Sequence, residues 1–397
     1  MARQQKDSMK ERVLRTLRGE GEGGVVWQPR IYYWYYGNRL QNQTPPGYED
    51  DSVLQSFYEN IDHYPEGEVP DRFREMTMLE IYDHLGASPR YPQETLGVSL
   101  FQGGSPFSPE IIEELETKVS YDEESGEKTT IYETPWGDLR KVTSGYTKEY
   151  PIKNTEDMEI TKKLLRRASF QFDRQGFRVA QKAFGDRGPV QTFHVRSPLQ
   201  SLITEHMGFE RTFLTLHRHR TELEELLEEF DRWHDRVWDV LLDSPIEVFN
   251  FGENIDQHFD SPPIFKDYLY PYYEKRIDAI HRRGKLCHIH VDGSFKQLIP
   301  LLAEADFDGL EALTPRPQGD VSLEEMEQAL GGKVLLDGLP ATLFTPEYSF
   351  EELEEFTLRV LNKFSPDLIL GISDELPPTG NIEKVELVSE LVAEFNG

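Results

Sequence analysis

With 397 residues, 37% of them hydrophobic, the chain is long enough for one α/β barrel or for two smaller domains. Its formal charge of −29 argues against nucleic acid and anionic membrane surfaces as partners, because both need clustered Lys and Arg. No apolar run approaches a bilayer span, the start at Met1 lacks the apolar stretch of a secretory signal, and a single cysteine, Cys287, rules out an internal disulfide, so a cytoplasmic protein is expected.

Taken in chain order, residues 1–24 read as an N-terminal helical extension, built on the Lys- and Glu-rich stretch from Ser8 to Arg18. Val25 to Trp27 is a first short strand. Six aromatics crowd the segment from Trp27 to Tyr36, and a segment that follows a barrel strand belongs at the mouth. Trp27, Tyr33, Trp34 and Tyr36 could wall a flat or methylated organic ligand there, or form an apolar patch that anchors the N-terminal helix. Between about 117 and 147, polar residues alternate with β-branched ones around Gly126, which predicts an inserted β-hairpin continuing through Thr134-Pro-Trp-Gly137 into Leu139 to Thr143. Gln191 to Phe193 is a further strand, followed by His194 and Arg196. Glu222 to Glu229 and Glu351 to Glu355 read as solvated helix faces.

From Ile246 onward one pattern repeats: a short apolar strand ending in polar residues, then an amphipathic helix, then a Gly turn. Ile246 to Phe251, Leu286 to His290, Gly309 to Leu313, Val334 to Leu336 and Leu368 to Ile372 are its strands. Five such units after two earlier strands predict a (β/α)8 TIM barrel over residues 25–397, with its active site at the C-terminal strand ends. The polar residues at those ends are His194 and Arg196, Glu253 and Asn254, His288 and His290 with Asp292, Glu311, Asp337 and Asp374. Alternation along a strand puts His288 and His290 on one face, a two-ligand platform for zinc or a pair of hydrogen-bonded core histidines. Cys287 faces the other way and reads as a small buried hydrophobe.

Several of these residues carry a resemblance. Trp27 with Arg30, Ser197-Pro198 with Gln200, Gly252-Glu253-Asn254, Ser261-Pro262, the Pro271 helix, Gly284-Lys285, His290 with Asp292-Gly293, Glu311 with Thr314-Pro315, Gly319-Asp320 and Ser373 to Pro378 together resemble the uroporphyrinogen decarboxylase-like superfamily, from about Val25 to the C-terminus. The hairpin and the His-x-His strand look closer to its corrinoid-dependent methyltransferase branch. That branch has His-x-Cys on this strand and a late Cys; here His290 and Asp374 stand in their places. Nitrogen and carboxylate ligands leave zinc a stronger Lewis acid than thiolates do, which points to a site that polarises an ether.

The resemblance therefore implies an O-demethylase component that moves a methyl group from a small, aromatic O-methyl substrate to the cobalt(I) corrinoid of a partner protein. Zinc would be held by His290, Asp374 and Glu311, with His288 as a ligand or orienting partner. His194 or Glu253 would protonate the leaving oxygen, and Trp27, Arg30, Tyr33, Trp34, Tyr36, Arg196 and Asn254 would bind substrate. The corrinoid must come from the partner, because Asp256-Gln-His258 approaches the cobalamin-binding signature but has Ser261 where its glycine belongs. The resemblance also allows a homodimer. A cofactor-free decarboxylase would need Arg30, Arg39 and Arg196 to converge without a metal, and a non-catalytic ligand-binding barrel would bind no metal. Zinc amidohydrolases share the His-x-His pair but need further histidines downstream, and His290 is the last one here.

Overall fold

The computed structural model describes residues 7–21, 24–40, 61, 64–103, 105–108, 112–194 and 196–397, the side chain of residue 194 excepted. They form two compact units, one of residues 1–99, 174–194 and 246–397, the other of residues 100–173 and 195–245. Among the described residues no helix is long and apolar enough to cross a membrane.

The first unit contains the expected α/β barrel. Its strands are β1 (Val26–Trp27), β2 (Gln191–His194), β3 (Val248–Phe251), β4 (Leu286–His290), β5 (Gly309–Glu311), β6 (Val334–Pro340) and β7 (Leu368–Ser373). All pair in parallel in the order β1-β7-β6-β5-β4-β3-β2. The gap between β1 and β2 is spanned by Ser88-Pro-Arg-Tyr91, which makes no regular ladder. Pro89 within it and Pro92 just after it lack the N–H that a ladder needs. Ser88 nevertheless donates its backbone N–H to the Trp27 carbonyl at 2.8 Å, and Gln93 donates to the Thr192 hydroxyl on β2 at 2.8 Å.

The N-terminal end of this barrel is plugged by the helix Met9–Leu17. Ser8 caps it in a reciprocal box with Glu11, satisfying two of the free N–H groups of its first turn. Val13, Leu14 and Leu17, three and four residues apart, then share one face and pack into a single apolar cluster with Val26, Val248, Leu286, Val334, Leu336 and Ile369. The extension is therefore the floor of the barrel. With the floor closed by aliphatic residues, the polar chemistry is left to the opposite end.

The second unit holds a four-stranded antiparallel sheet of Glu116–Asp122, Glu127–Thr134, Gly137–Thr143 and Thr147–Glu149. Gly126 turns the first pair at φ +66°, a conformation that suits glycine. His206, in the same unit, is buried against the ring of Phe230 at 5.7 Å and that of Phe107 at 5.1 Å. Burial pushes its imidazole down from 6.5 to about 4. A depressed value means the unfolded chain binds the proton more tightly, so the stability from keeping His206 neutral is present above about pH 6.5 and lost as pH falls toward 4. Between pH 7 and 5 the wild type should lose roughly 2 kcal/mol more than a His206→Phe variant, measured by urea unfolding. Equal losses in the two proteins would show that His206 is not the source of this pH dependence.

Candidate active site at the mouth of the barrel

On β4 the alternation turns Leu286, His288 and His290 inward and Cys287 and Ile289 outward, as the sequence predicts. Leu286 belongs to the apolar floor. The parallel register sets His288 beside Asn250 and His290 beside Glu311, so the polar residues stack upward from the floor in two layers.

Glu311 is the hub of the lower layer and is fully buried. Arg90 donates to its Oε1 at 2.6 Å and the Tyr91 hydroxyl at 2.9 Å, while Asn250 donates to Oε2. His290 approaches the same Oε2 through Nδ1 at 3.2 Å. Burial opposes a charge here, but Arg90 and the two histidines outweigh it and hold the carboxyl well below its usual range. Arg90, itself without solvent exposure, also grips Asp337 with both terminal nitrogens at 3.0 and 2.7 Å and donates Nε to Gln28 at 2.8 Å.

The upper layer opens to solvent. His290 Nε2 faces Asp374 Oδ2 at 3.7 Å, and one donor atom each from His290, Asp292 and Asp374 all lie within 4.8 Å of one another. Burial would lower the His290 imidazole, but Asp374 and Glu311 outweigh it and raise it to about 9. Asp374 gives its other oxygen to Arg30, whose remaining nitrogens hold Glu94. Asn254, at φ +55°, donates to Asp292 at 3.2 Å, and Tyr32 donates to Glu375 at 3.2 Å. Burial, with Asp374 beside it, raises the Glu375 carboxyl well above the ordinary range.

This geometry divides the residues read from sequence between the two layers. His290 and Asp374 meet, and Glu311 gives its oxygens to Arg90, Tyr91, Asn250 and His290. His288 lies in the lower layer, with Nε2 3.3 Å from the Gln191 amide oxygen and Nδ1 3.6 Å from Glu311. Burial pushes it down to about 4, so it is neutral. The donor cluster at the mouth is completed by Asp292. The three donors, one imidazole and two carboxylates, are open on one side and of types that can hold a divalent cation.

The aromatic wall is redrawn as well. Trp27 turns outward from β1 into a cavity of about 260 Å³ shared with Met9, Arg12, Leu85 and Val392, on the opposite side of the strand from Gln28 and Arg90. In the helix Tyr32–Gly37, Trp34 is fully buried against Phe73, and Tyr36 is fully buried with its hydroxyl on the Glu94 carbonyl. Tyr33 alone of the expected wall is half-buried, its ring 6.2 Å from that of Tyr64 and its phenol within the field of Glu375 and Asp374. Arg30 and Asn254 stand beside the donor cluster, and Glu253 is fully buried in the turn after β3. Arg196 belongs to the second unit, where it pairs with Glu205 at 2.7 Å. The His194 side chain lies outside the described residues.

Sequence reading missed Arg90, Tyr91 and Glu94. The signal was available: Ser-Pro-Arg-Tyr-Pro-Gln-Glu sets Arg90 between two prolines, and Glu94 follows in the short helix Pro92–Leu96.

The family described as Uroporphyrinogen decarboxylase (URO-D) matches residues 143–395. No curated protein gives a match. Among solved structures, a methyltransferase from Methanosarcina mazei is similar over 98% of this chain and 100% of its own, at 14% identity and a TM-score of 0.62. A B12-independent methionine synthase from Shewanella sp. W3-18-1, in complex with selenomethionine, aligns over 94% and 96% of the two chains at 13% identity, with a TM-score of 0.45.

Proposed function

Because the chain belongs to the uroporphyrinogen decarboxylase (URO-D) family, we propose that it uses this barrel as a zinc-dependent methyltransferase, moving a methyl group from a small, aromatic O-methyl substrate to the cobalt(I) corrinoid of a partner protein. The observation that carries the proposal is the cluster of His290, Asp292 and Asp374 at the open end of the barrel. The fold likeness to the Methanosarcina mazei methyltransferase is in keeping with it.

Zinc held by that cluster would supply Lewis acidity to a methoxy oxygen and lower the barrier to its departure. The chain's own residues prepare the site. Glu311 accepts the Nδ1–H of His290, which leaves the Nε2 lone pair directed at the mouth. Arg30 anchors one oxygen of Asp374 and leaves the other facing His290. Asn254 does the same service for Asp292. Tyr32 and Tyr33, with rings 5.0 Å apart, flank the acidic side of the cluster and offer an aromatic surface to the substrate. Glu253, with His194 as the alternative, is assigned the proton that the leaving oxygen takes up.

A polycarboxylate decarboxylation is disfavoured by the charges present. Arg30 is spent on Glu94 and Asp374, Arg39 is exposed with its guanidinium on the Tyr36 carbonyl, and Arg196 pairs with Glu205. Glu94, Asp292, Glu311, Asp337, Asp374 and Glu375 surround the site, an environment that attracts a cation and repels a polyanion.

The test is to load the purified protein with zinc and offer it methoxylated aromatics together with cob(I)alamin. Methylcobalamin should form, a chelator should stop it, and Asp374→Ala should lose one equivalent of zinc along with the activity. A protein that retains full activity after chelation, or that takes up no zinc at the mouth, would remove the proposal.

A further inference from the structure

A second group of metal-ligating side chains lies at the other end of β4, on the outer face of the barrel wall. Cys287 points away from His288 and His290 and is fully buried. Next to it stand Asp308, just before β5, and His281, in the last turn of the helix Tyr270–Arg282. One donor atom from each of His281, Cys287 and Asp308 lies within 4.8 Å of the other two.

The three are held together by bonds among themselves and by Asp306. Asp308 is fixed by backbone bonds on both sides: its carboxylate accepts the Cys287 N–H at 2.7 Å, and its own N–H donates to the Cys287 carbonyl at 2.9 Å. His281 sits between two carboxylates, with Nδ1 3.7 Å from Asp306 and Nε2 3.1 Å from Asp308. An imidazole steadied through one nitrogen by a carboxylate, and presenting the other to sulfur and oxygen donors, is the arrangement that orients a histidine toward a metal. His281 keeps 30% of its side chain exposed, which leaves an entry path.

We propose that His281, Cys287 and Asp308 form a second divalent-cation site, suited to zinc and separate from the mouth of the barrel. The charges balance. Binding releases the thiol proton to buffer, so thiolate and carboxylate together meet the two positive charges and the imidazole binds as a neutral ligand. One sulfur, one nitrogen and one oxygen donor match zinc's borderline character, and solvent can complete a tetrahedron.

Cobalt(II) is the probe, because Cys287 is the only cysteine and any thiolate-to-cobalt charge-transfer absorption must come from this site. The full-length protein saturated with cobalt should show that near-ultraviolet absorption. It should persist in Asp374→Ala, whose mouth cluster is broken, and vanish with loss of one equivalent of metal in His281→Gln, a change at a partly exposed helix end. Cys287→Ser should behave as His281→Gln does, and circular dichroism checks that each variant is folded. No charge-transfer absorption at cobalt saturation, or absorption undiminished in folded His281→Gln, would overturn the site. Either failure leaves the reading of the mouth cluster intact, because that reading is tested in the Asp374 variant.

Discussion

Replacing Arg90 by methionine is expected to destabilise the barrel by about 3–5 kcal/mol, the cost of leaving buried charge without its partner. Arg90 has no solvent exposure and holds two carboxylates, Glu311 by one contact and Asp337 by two. Removing it strands both in the barrel interior. Asp337 already sits at about 6, raised by burial against the pull of Arg90, and would take up a proton in the variant. Glu311 is different: Arg90 is the foremost of the charges that keep it ionised against burial. The deficit should therefore shrink as pH falls and protons replace the missing guanidinium. Arg90→Lys keeps the charge but cannot make the forked contact with Asp337, and its cost should fall between the two. Urea unfolding of the three proteins at two pH values measures this. An Arg90→Met protein as stable as the wild type near pH 7 would show that the two carboxylates are already neutral.

How far the sequence reveals this architecture depends on whether the relevant physics is local. Strands β3, β4, β6 and β7 are buried on both faces and so read as short apolar runs between turns; each was legible. The inward pair His288 and His290 follows from alternation alone. The second wall segment, Ser88 to Tyr91, was not legible, because Pro89 within it and Pro92 after it erase the strand pattern and its place is fixed by Trp27 and Thr192, far away in sequence. The same distance hides the division of labour among the acids. Glu311 ends β5 and Asp292 lies two residues past β4, and only the arrival of Arg90, Tyr91 and Asn250 on Glu311 distinguishes it from Asp292, which stays at the mouth. The aromatic run misled for a simpler reason. It forms a helix, so its rings point in every direction; Trp34, Tyr35 and Tyr36 go to the core and Tyr33 stays at the surface of the site.

His290→Ala should abolish metal binding at the mouth, and methyl transfer with it, while Glu311→Gln should only weaken both. The difference follows from what each residue touches. His290 supplies one of three donors, and two carboxylates alone, one of them already tied to Arg30, make a poor zinc site. Glu311 acts through His290, and loss of such an orienting partner typically costs about 10–100-fold in metal affinity. Metal-free protein adds a second signature. With His290 raised from 6.5 to about 9, the folded state binds its proton more tightly than the unfolded chain does. That stabilisation is fully present below about pH 6.5 and is lost as pH rises through 9, roughly 3 kcal/mol in all. Zinc reverses the dependence, because it needs the imidazole without the proton and competes for it. Unfolding curves at pH 6 and pH 9, with and without zinc, should therefore converge at the acid end and separate at the alkaline end. His290→Ala should erase both the alkaline decline and the rescue by zinc. A decline that survives in His290→Ala would assign it to another group and remove the central histidine from the proposed site.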